Sequence, residues 1–208
     1  MPSPRASLSD RPAARDDPDA GEQVVLVDEI GTPIGVADKA TVHHADTPLH
    51  LAFSCHVFHR DGRVLVTRRA LGKLTWPGVW TNSFCGHPAP GEDVASAVRR
   101  RAVRELGLEL GALDPVLPDF RYRAVDASGV VENEICPVFR ATVDVDPRPA
   151  SDEVAEWAWI GFDELRTAVA AAPFAFSPWL ALQLERWPAP VPDPAPDRVR
   201  RTAGDDPR

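Results

Sequence analysis

The segment LHLAFSCHVFHRDGRVLVTRRA, residues 49–70, constrains the fold more than any other part of the sequence. Two runs of apolar, β-branched and aromatic residues flank the pair Asp61-Gly62. An Asp-Gly pair suits the positive φ angles of a tight turn, and runs of this composition are typical of strands. The sequence therefore predicts a β-hairpin here, and the remaining elements must pack around its sheet.

Further strands are predicted on both sides of the hairpin. They are QVVLVDE, IGTPIGVADK, DFRYRAV, GVVENEICPVFRATVDV and EVAEWAWIGF. Residues 92–107 form the clearest predicted helix, because Gly107 is placed to end it and its apolar residues share one stripe: Ala95, Val98, Ala102 and Leu106. Two more helices are expected, one from near Asp163 and one over FSPWLALQLERW. This order predicts an α/β (α+β) fold with a mixed β-sheet sandwiched between helices.

The chain of 208 residues is 44% hydrophobic, which suffices for one well-sized core. Residues 1–21 and 188–208 are rich in Pro, Asp and Arg with few large apolar residues, so both are predicted to be disordered tails. A single domain over residues 22–187 is the expectation.

The formal net charge of -8 argues against broad attraction to nucleic acid or to an anionic membrane. An anionic ligand must then be held by a local basic pocket. The sequence shows no apolar run long enough for a membrane span and no apolar centre of a secretory signal, so a cytoplasmic protein is expected. Its three cysteines include no CxxC pair, which predicts free thiols.

The predicted helix carries part of a known motif. Gly86, Glu92, Arg100, Glu105 and Gly107 fit the spacing of the Nudix signature, whose glutamates bind divalent cations that engage a diphosphate. Two of the three glutamate places in the run RRAVRELGL hold arginine instead. The helix is therefore expected to recognise a diphosphate without hydrolysing it; an ordinary amphipathic helix with a solvated basic face is the alternative.

A second group of residues has the mixture of carboxylate and imidazole typical of a Zn²⁺ or Mn²⁺ site. Glu132 and Glu134 alternate on a predicted strand and so point to one face. The short segment VHHADTPLH supplies three histidines, and His87 follows Cys85 in SFCGHP. Structural histidines and a solvent-screened carboxylate pair are the alternative on these residues alone.

Several segments together resemble the type I isopentenyl-diphosphate isomerase family of the Nudix superfamily. They are TVHHADTPLHLAFS, RRALGKLTWPGVWTNSFCGHP, PDFRYRA, GVVENEICPVF and FSPW, in the family's order. The resemblance runs from about residue 24 to about residue 187, with a Nudix core of about 48–182. It implies an isomerase of isoprenoid biosynthesis that interconverts isopentenyl and dimethylallyl diphosphate by protonation and deprotonation on opposite faces through a tertiary carbocation.

The resemblance also implies a role for individual residues. One Mn²⁺ or Zn²⁺ would be held by His43, His50, His87, Glu132 and Glu134, with His44 a bystander. Cys85 and Glu134 would be the acid and base, with Glu134 hydrogen-bonded to Tyr122 and preferred as the proton donor, although the order can be reversed. Trp179 would stabilise the cation with its ring; Trp76 is interpreted as packing or rim.

The substrate site implied by the resemblance is basic. The diphosphate would be bound by Lys39, Arg69, Lys73 and Arg101, while Glu105 would bind a Mg²⁺ that bridges its oxygens. The expected partner is thus a small prenyl diphosphate, with a monomer as the default and no nucleic acid or membrane. No flavin or nicotinamide is expected, because no glycine-rich dinucleotide fingerprint follows a strand.

Two other functions compete with isomerisation. A Nudix diphosphate hydrolase would share the fold and the helix, but Arg101 and Arg104 in place of glutamates speak against it. A binding or sensor module with a structural ion would leave Cys85 and Tyr122 without a role.

Overall fold

The computed structural model describes residues 21–188. Of the two predicted tails, only Gly21 and Pro188 fall within the described residues, so the disorder of the tails stays a prediction. The strands are β1 Gln23–Val27, β2 Pro33–Asp38, β3 His50–Leu51, β4 Phe53–His59, β5 Arg63–Arg69, β6 Trp80–Thr81, β7 Phe84–Gly86, β8 Leu113–Leu117, β9 Arg121–Val125, β10 Val131–Ile135, β11 Val138–Val143 and β12 Val154–Gly161. The helices are α1 Lys39–Val42, α2 Val94–Leu106, α3 Phe162–Ala171 and α4 Pro178–Arg186, with a 3-10 turn at Pro173–Ala175.

The strands form two sheets. One has the order β2-β1-β3-β10-β9, and the other has the order β12-β5-β4-β11-β8, with β6 added to β5 and β7 added to β4. Each sheet contains one parallel pair among antiparallel ones: β10 with β3, and β11 with β4. The predicted α/β class with mixed β-structure and few helices is confirmed, and the strands are divided between two sheets.

Two predicted strands each cross from one sheet to the other. The first leaves β3 and enters β4 across Ala52, and the second leaves β10 and enters β11 across Cys136 and Pro137. Proline has no N–H for a ladder hydrogen bond, which suits a break at this point. The two crossings remain hydrogen-bonded to each other. Ala52 N donates to Ile135 O at 2.9 Å, and Ser54 N donates to Pro137 O at 3.1 Å.

The predicted hairpin and helix are present. Asp61-Gly62 lies in the turn between β4 and β5, and Gly62 has φ +92°. Helix α2 begins after Asp93, whose side chain accepts from Ser96 N at 3.0 Å, and ends at Gly107 with φ +62°. Its buried apolar stripe consists of Ala97, Val98, Ala102 and Leu106, whereas Ala95 of the predicted stripe is half-buried.

The main core lies between α2 and the second sheet, where the helix stripe packs against Phe53, Cys55 and Val57 of β4. A separate core holds α3 and α4 against β5. In the described part of the chain, no helix is both long and apolar enough to cross a membrane. Cys55, Cys85 and Cys136 are all free, as predicted, and the first and last of them are buried.

A buried histidine joins β4 to α4. His56 is fully buried, and its Nε2 lies 2.8 Å from Oε1 of Gln183. Burial disfavours the charged imidazole and lowers the pKa of His56 from its ordinary 6.5 to about 4. The folded state therefore holds this residue neutral at pH values where the unfolded chain binds a proton.

The pH dependence of folding should report this burial. Because the pKa of His56 is depressed on folding, its contribution is complete above pH 6.5 and is lost as the pH falls toward 4. We expect the free energy of unfolding to fall by about 2 kcal/mol from this group between pH 7 and pH 5. Urea unfolding with chelator present should show that loss in the wild type and a correspondingly flatter profile in His56→Leu. Parallel profiles for the two proteins would contradict it.

Candidate functional site

Separate segments bring the predicted metal ligands together around β3 and β10, two adjacent inner strands of the first sheet. His43 caps the C-terminal end of α1, His50 begins β3, and His87 directly follows β7. Glu132 and Glu134 lie on β10, where both are buried on one face as their spacing predicts. The parallel register of β10 and β3 pairs Glu134 with His50, so their side chains are neighbours.

The three imidazoles form a compact triangle. Ring centroids are 5.1 Å apart for His43 and His50, 5.2 Å for His50 and His87, and 5.7 Å for His43 and His87. Glu134 Oε1 lies 3.3 Å from His87 Nε2 and 3.5 Å from His50 Nε2. One potential ligand atom from each of these four residues lies within 4.8 Å of the others. These residues can therefore converge on one ion.

The hydrogen bonding of the histidines fits a divalent ion. Nε2 of His43 and Nε2 of His50 are buried, and within the described chain neither makes a hydrogen bond. His50 Nδ1 lies 2.9 Å from Pro48 O, which can only accept, so the ring hydrogen is on Nδ1 and the Nε2 lone pair faces the cluster. A buried lone pair aimed at a carboxylate is the arrangement that a bound cation would complete.

Glu132 lies beside the cluster rather than within its closest group. Its Oε2 is 3.3 Å from His43 Nε2, and its Oε1 accepts a 2.7 Å hydrogen bond from Thr75 Oγ1. Four of the five predicted ligands thus converge on one point, and the fifth, Glu132, contacts one of them, His43. Thr75 was not predicted; it comes from the loop between β5 and β6.

Electrostatics prepares the cluster for a cation. Burial alone would raise the pKa of Glu134, but the neighbouring imidazoles of His50 and His87 hold it well below its usual range. Burial lowers the pKa of His87 to about 4, so this ring is neutral near pH 7. Ionised carboxylate and neutral imidazole are the ligand forms that metals require.

Cys85 lies in β7, half-buried, with polar groups on two sides. Its Sγ is 3.2 Å from Ser54 Oγ and 3.4 Å from Asn82 Oδ1. Burial raises the pKa of Cys85 to about 12, so the resting residue is a thiol. The glycine that follows it is required by packing, because a Cβ on Gly86 would lie 2.9 Å from the ring of Phe53. The segment SFCGHP thus contains a closely packed short strand, β7, and presents a thiol and an imidazole to one site.

An aromatic wall adjoins the thiol. Cys85 packs against a cluster that includes Tyr122 and Trp179, whose rings are 5.7 Å apart. Trp179 is fixed by a 3.0 Å hydrogen bond from its Nε1 to Asn82 Oδ1. Trp76 meets it edge-on at 5.3 Å and has φ +43°, a conformation that costs free energy in a bulky residue. Trp76 thus packs on Trp179 as part of this wall.

Tyr122 and Glu134 are direct cross-strand neighbours in the antiparallel pair of β9 and β10. The expected hydrogen bond between them is not formed among the described residues: Glu134 Oε1 instead bonds His87 at 3.3 Å. Burial and the charges of Glu134 and Glu132 raise the pKa of Tyr122 well above its ordinary value, so its phenol keeps its proton. The register places the two groups together even though their hydrogen bond is absent.

The predicted phosphate-binding cations are present, and carboxylates contact most of them. Lys39 Nζ lies 2.9 Å from Glu22, Lys73 is paired with Glu153, and Arg101 donates to Glu105 at 2.6 Å. Arg69 instead donates to Thr75 O at 2.9 Å and lies 5.5 Å above the ring of Trp179. The structure therefore brings Arg101 and Glu105, the predicted diphosphate and Mg²⁺ residues, into direct contact.

Glu153 is a site residue that the sequence did not indicate. It is buried at the start of β12, pairs with Lys73, and lies 3.4 Å from Arg101 Nη2. The charges of Lys73 and Arg101 outweigh its burial and lower its pKa. Glu153 belongs to no motif; it is the first residue of the predicted strand EVAEWAWIGF, where one acidic residue gives no signal of a site.

Comparisons with known proteins identify the family of this chain. The family model of the NUDIX domain matches residues 48–180. An isopentenyl-diphosphate Delta-isomerase from Clavibacter michiganensis is 68% identical over 169 residues, which cover 80% of this chain and 86% of the relative. One from Klebsiella pneumoniae is 53% identical and covers 80% and 90%. The chain belongs to the isopentenyl-diphosphate Delta-isomerase family.

Solved structures show the same fold. A crystal structure of a Deinococcus radiodurans protein matches with a TM-score of 0.65 at 20% identity and covers 81% of this chain and all of that one. A MutT NUDIX hydrolase from Burkholderia pseudomallei matches with a TM-score of 0.52 at 24% identity, covering 66% and 96%. The match to the Clavibacter isomerase is longer than the NUDIX region, so the likeness to the isomerase family extends beyond the NUDIX core.

The histidine cluster makes a prediction about metal binding. His50→Ala removes one of the three imidazole ligands of the cluster, and we expect the affinity for Mn²⁺ or Zn²⁺ to fall by at least about 10- to 100-fold. Calorimetric titration of metal-stripped protein would measure this. His44→Ala is the matched control, because His44 is exposed and outside the cluster. Equal affinities for the two variants would remove His50 from the site.

Proposed function

We propose that this protein interconverts isopentenyl diphosphate and dimethylallyl diphosphate. The single observation that supports this most is the placement of a half-buried thiol, Cys85, against an aromatic wall that also borders the carboxylate of Glu134. The names of the relatives, at up to 68% identity, support the same reaction. Metal-assisted hydrolysis of a diphosphate by an activated water needs neither a thiol nor an aromatic wall.

The chemistry of the reaction explains such a site. Moving the double bond requires a proton to be added at C4 and another to be removed from C2. An unactivated alkene is a poor base, so protonation yields a tertiary carbocation that water would capture. A pocket lined by Trp179, Tyr122 and Trp76 would exclude water and present π electrons to the cation, an interaction worth about 2 kcal/mol or more when desolvated.

Cys85 and Glu134 are the proposed acid and base, assisted by Tyr122. The sequence favoured Glu134 as the donor to C4. The resting protonation supports the opposite order, because Cys85 holds its proton while the Glu134 carboxylate is ionised. In that order the Cys85 thiol gives its proton to C4 and Glu134 accepts the proton from C2; the reverse reaction exchanges these roles.

Two divalent ions complete the proposal. Mn²⁺ or Zn²⁺ would be held by His43, His50, His87 and Glu134, with Glu132 closing the set, and it would keep Glu134 ionised and fixed in orientation. Mg²⁺ would bind at Glu105 together with the substrate's phosphate oxygens, where it would neutralise part of their charge.

The diphosphate itself would be bound by Lys39, Arg69, Lys73 and Arg101. Contacts with Glu22, Glu105 and Glu153 keep Lys39, Lys73 and Arg101 in place when no anion is bound. An incoming diphosphate would exchange with these carboxylates, so that a negative charge faces each of these three cations at every stage.

Hydrolysis is the weaker candidate although the fold is shared. Helix α2 has Arg101 and Arg104 where a Nudix hydrolase would carry glutamates. Arg101 is buried and bonded to Glu105, so this helix face presents a single carboxylate within a cationic setting. One carboxylate can share one ion with a ligand but cannot build the cluster that activates water.

Turnover in deuterated water tests the proposed reaction. Purified protein incubated with isopentenyl diphosphate and Mg²⁺ should yield dimethylallyl diphosphate that carries deuterium in the methyl group derived from C4. Mass spectrometry of the product would measure this. Release of free phosphate without the labelled isomer would contradict isomerisation and favour hydrolysis.

The proposed acid and base make a second prediction. Cys85→Ala and Glu134→Gln should each lower kcat by about 100- to 10,000-fold, the usual loss for a missing acid or base. Cys55→Ala is the matched cysteine control, because Cys55 is buried in the main core away from the aromatic wall. Near-normal turnover in either site variant would remove that residue from the mechanism.

A further inference from the structure

A buried serine, Ser54, lies beside the Cys85 thiol on the adjacent strand. In the antiparallel pair of β4 and β7, Ser54 is registered directly opposite Cys85. Ser54 is fully buried, and its Oγ lies 3.2 Å from Cys85 Sγ. Neither the Nudix motif nor the metal cluster accounts for a buried hydroxyl here, between Phe53 and Cys55 near the start of β4.

A third residue restricts the hydrogen bonds that the Ser54 hydroxyl can make. Gln183 Nε2 donates to Ser54 Oγ at 2.8 Å, so the serine oxygen acts as an acceptor toward α4. The Ser54 hydrogen can then be donated to a sulfur, and Cys85 Sγ at 3.2 Å is nearer than Cys136 Sγ at 3.5 Å. The Cys85 thiol directs its own hydrogen to Asn82 Oδ1, which leaves its sulfur as the acceptor for Ser54. Gln183 is held in this orientation because its Oε1 lies 2.8 Å from His56 Nε2. Ser54, Gln183 and His56 are all fully buried.

Asn82 approaches the same sulfur from another side. Its Nδ2 donates to Phe84 O at 2.8 Å and to Cys55 O at 3.1 Å, and carbonyl oxygens can only accept. This fixes the amide so that Oδ1 faces Cys85 Sγ at 3.4 Å. The sulfur therefore has one neighbour that accepts its hydrogen and one that donates a hydrogen to it.

We propose that Ser54, held by Gln183, is a positioning residue that donates a hydrogen bond to the sulfur of Cys85 and supports it as a thiolate during proton transfer. This inference rests on the proposed function, because it assigns Ser54 a role through Cys85. Asn82 Oδ1 accepts from the thiol before the proton leaves, and the Ser54 hydroxyl donates to the sulfur afterwards. Hydrogen bonds to charged acceptors are stronger than those to neutral ones, so Ser54 stabilises the form that lies between proton donation and recapture.

The same arrangement explains why α4 packs where it does. Trp179, at the start of α4, donates to Asn82, and Gln183, one turn further, donates to Ser54. One helix thus fixes both polar neighbours of the thiol through residues spaced i and i+4, which lie on the same helix face. Helix α4 thus fixes the position of the Trp179 ring relative to the Cys85 thiol.

Kinetics of Ser54 variants test the proposal. A lost hydrogen bond to a charged group predicts that Ser54→Ala lowers kcat for isopentenyl diphosphate by about 10- to 100-fold, while KM changes by less than about threefold. Gln183→Leu should also lower kcat. The double variant should have a kcat less than about threefold below that of Ser54→Ala alone, because the two residues act through one hydrogen bond. Ser54→Thr retains the hydroxyl and should recover most of kcat.

Controls separate this role from general damage to the fold. Ser83→Ala removes another buried serine, which bonds Leu65 O and Val57 N but not Cys85, and it should lower the melting temperature without a comparable loss of kcat. If the wild type isomerises the substrate and Ser54→Ala has a normal kcat, the inference is wrong while the proposed function stands. If the folded wild type fails to isomerise it, the proposed function is wrong. A fall in kcat for Ser83→Ala as large as for Ser54→Ala would also overturn the inference.

Discussion

The pairing of β10 with its two neighbours is the constraint on which the site depends. The parallel pairing with β3 places Glu134 beside His50, and the antiparallel pairing with β9 places it beside Tyr122. One carboxylate therefore belongs to both the histidine cluster and the aromatic wall. A slip of β10 by one residue would turn Glu132 and Glu134 to the opposite face and remove both carboxylates from the cluster. Strand register and chemistry are thus fixed by the same backbone hydrogen bonds.

The charge of the molecule is reconciled with an anionic substrate by local pairing. The chain carries a formal charge of -8, yet it collects Lys39, Lys73 and Arg101 near one site. A buried cation without a partner would cost several kcal/mol, so the fold must provide a counter-charge when no substrate is bound. Glu22 and Glu153 have that role here. Both residues are negatively charged, whereas a phosphate site is recognised in a sequence by its positive charges. This explains why the sequence did not indicate Glu22 and Glu153.

Much of the fold was predictable because its signals are local. Asp61-Gly62 fixed the hairpin, and Gly107 fixed the end of α2, since in each case a positive φ angle is demanded by the turn itself. The division into two sheets was not predictable from the same patterns. The crossings at Ala52 and Pro137 have apolar neighbours on both sides, Leu51 and Phe53 at the first and Cys136 and Val138 at the second. A period of two residues does not reveal that a strand has changed its partner.

The site divides in a similar way between what the sequence indicates and what only the fold reveals. The spacing of Glu132 and Glu134 predicted a shared face, and resemblance to a family supplied the histidines. The support behind Cys85 was hidden because Ser54 and Gln183 are 129 positions apart in the chain. One signal was nevertheless present: a serine in an apolar strand must find a hydrogen-bond partner once it is buried. A buried serine of this kind indicates that a polar contact exists. Only the packing of α4 against β4 shows that its partners are Gln183 and the Cys85 thiol.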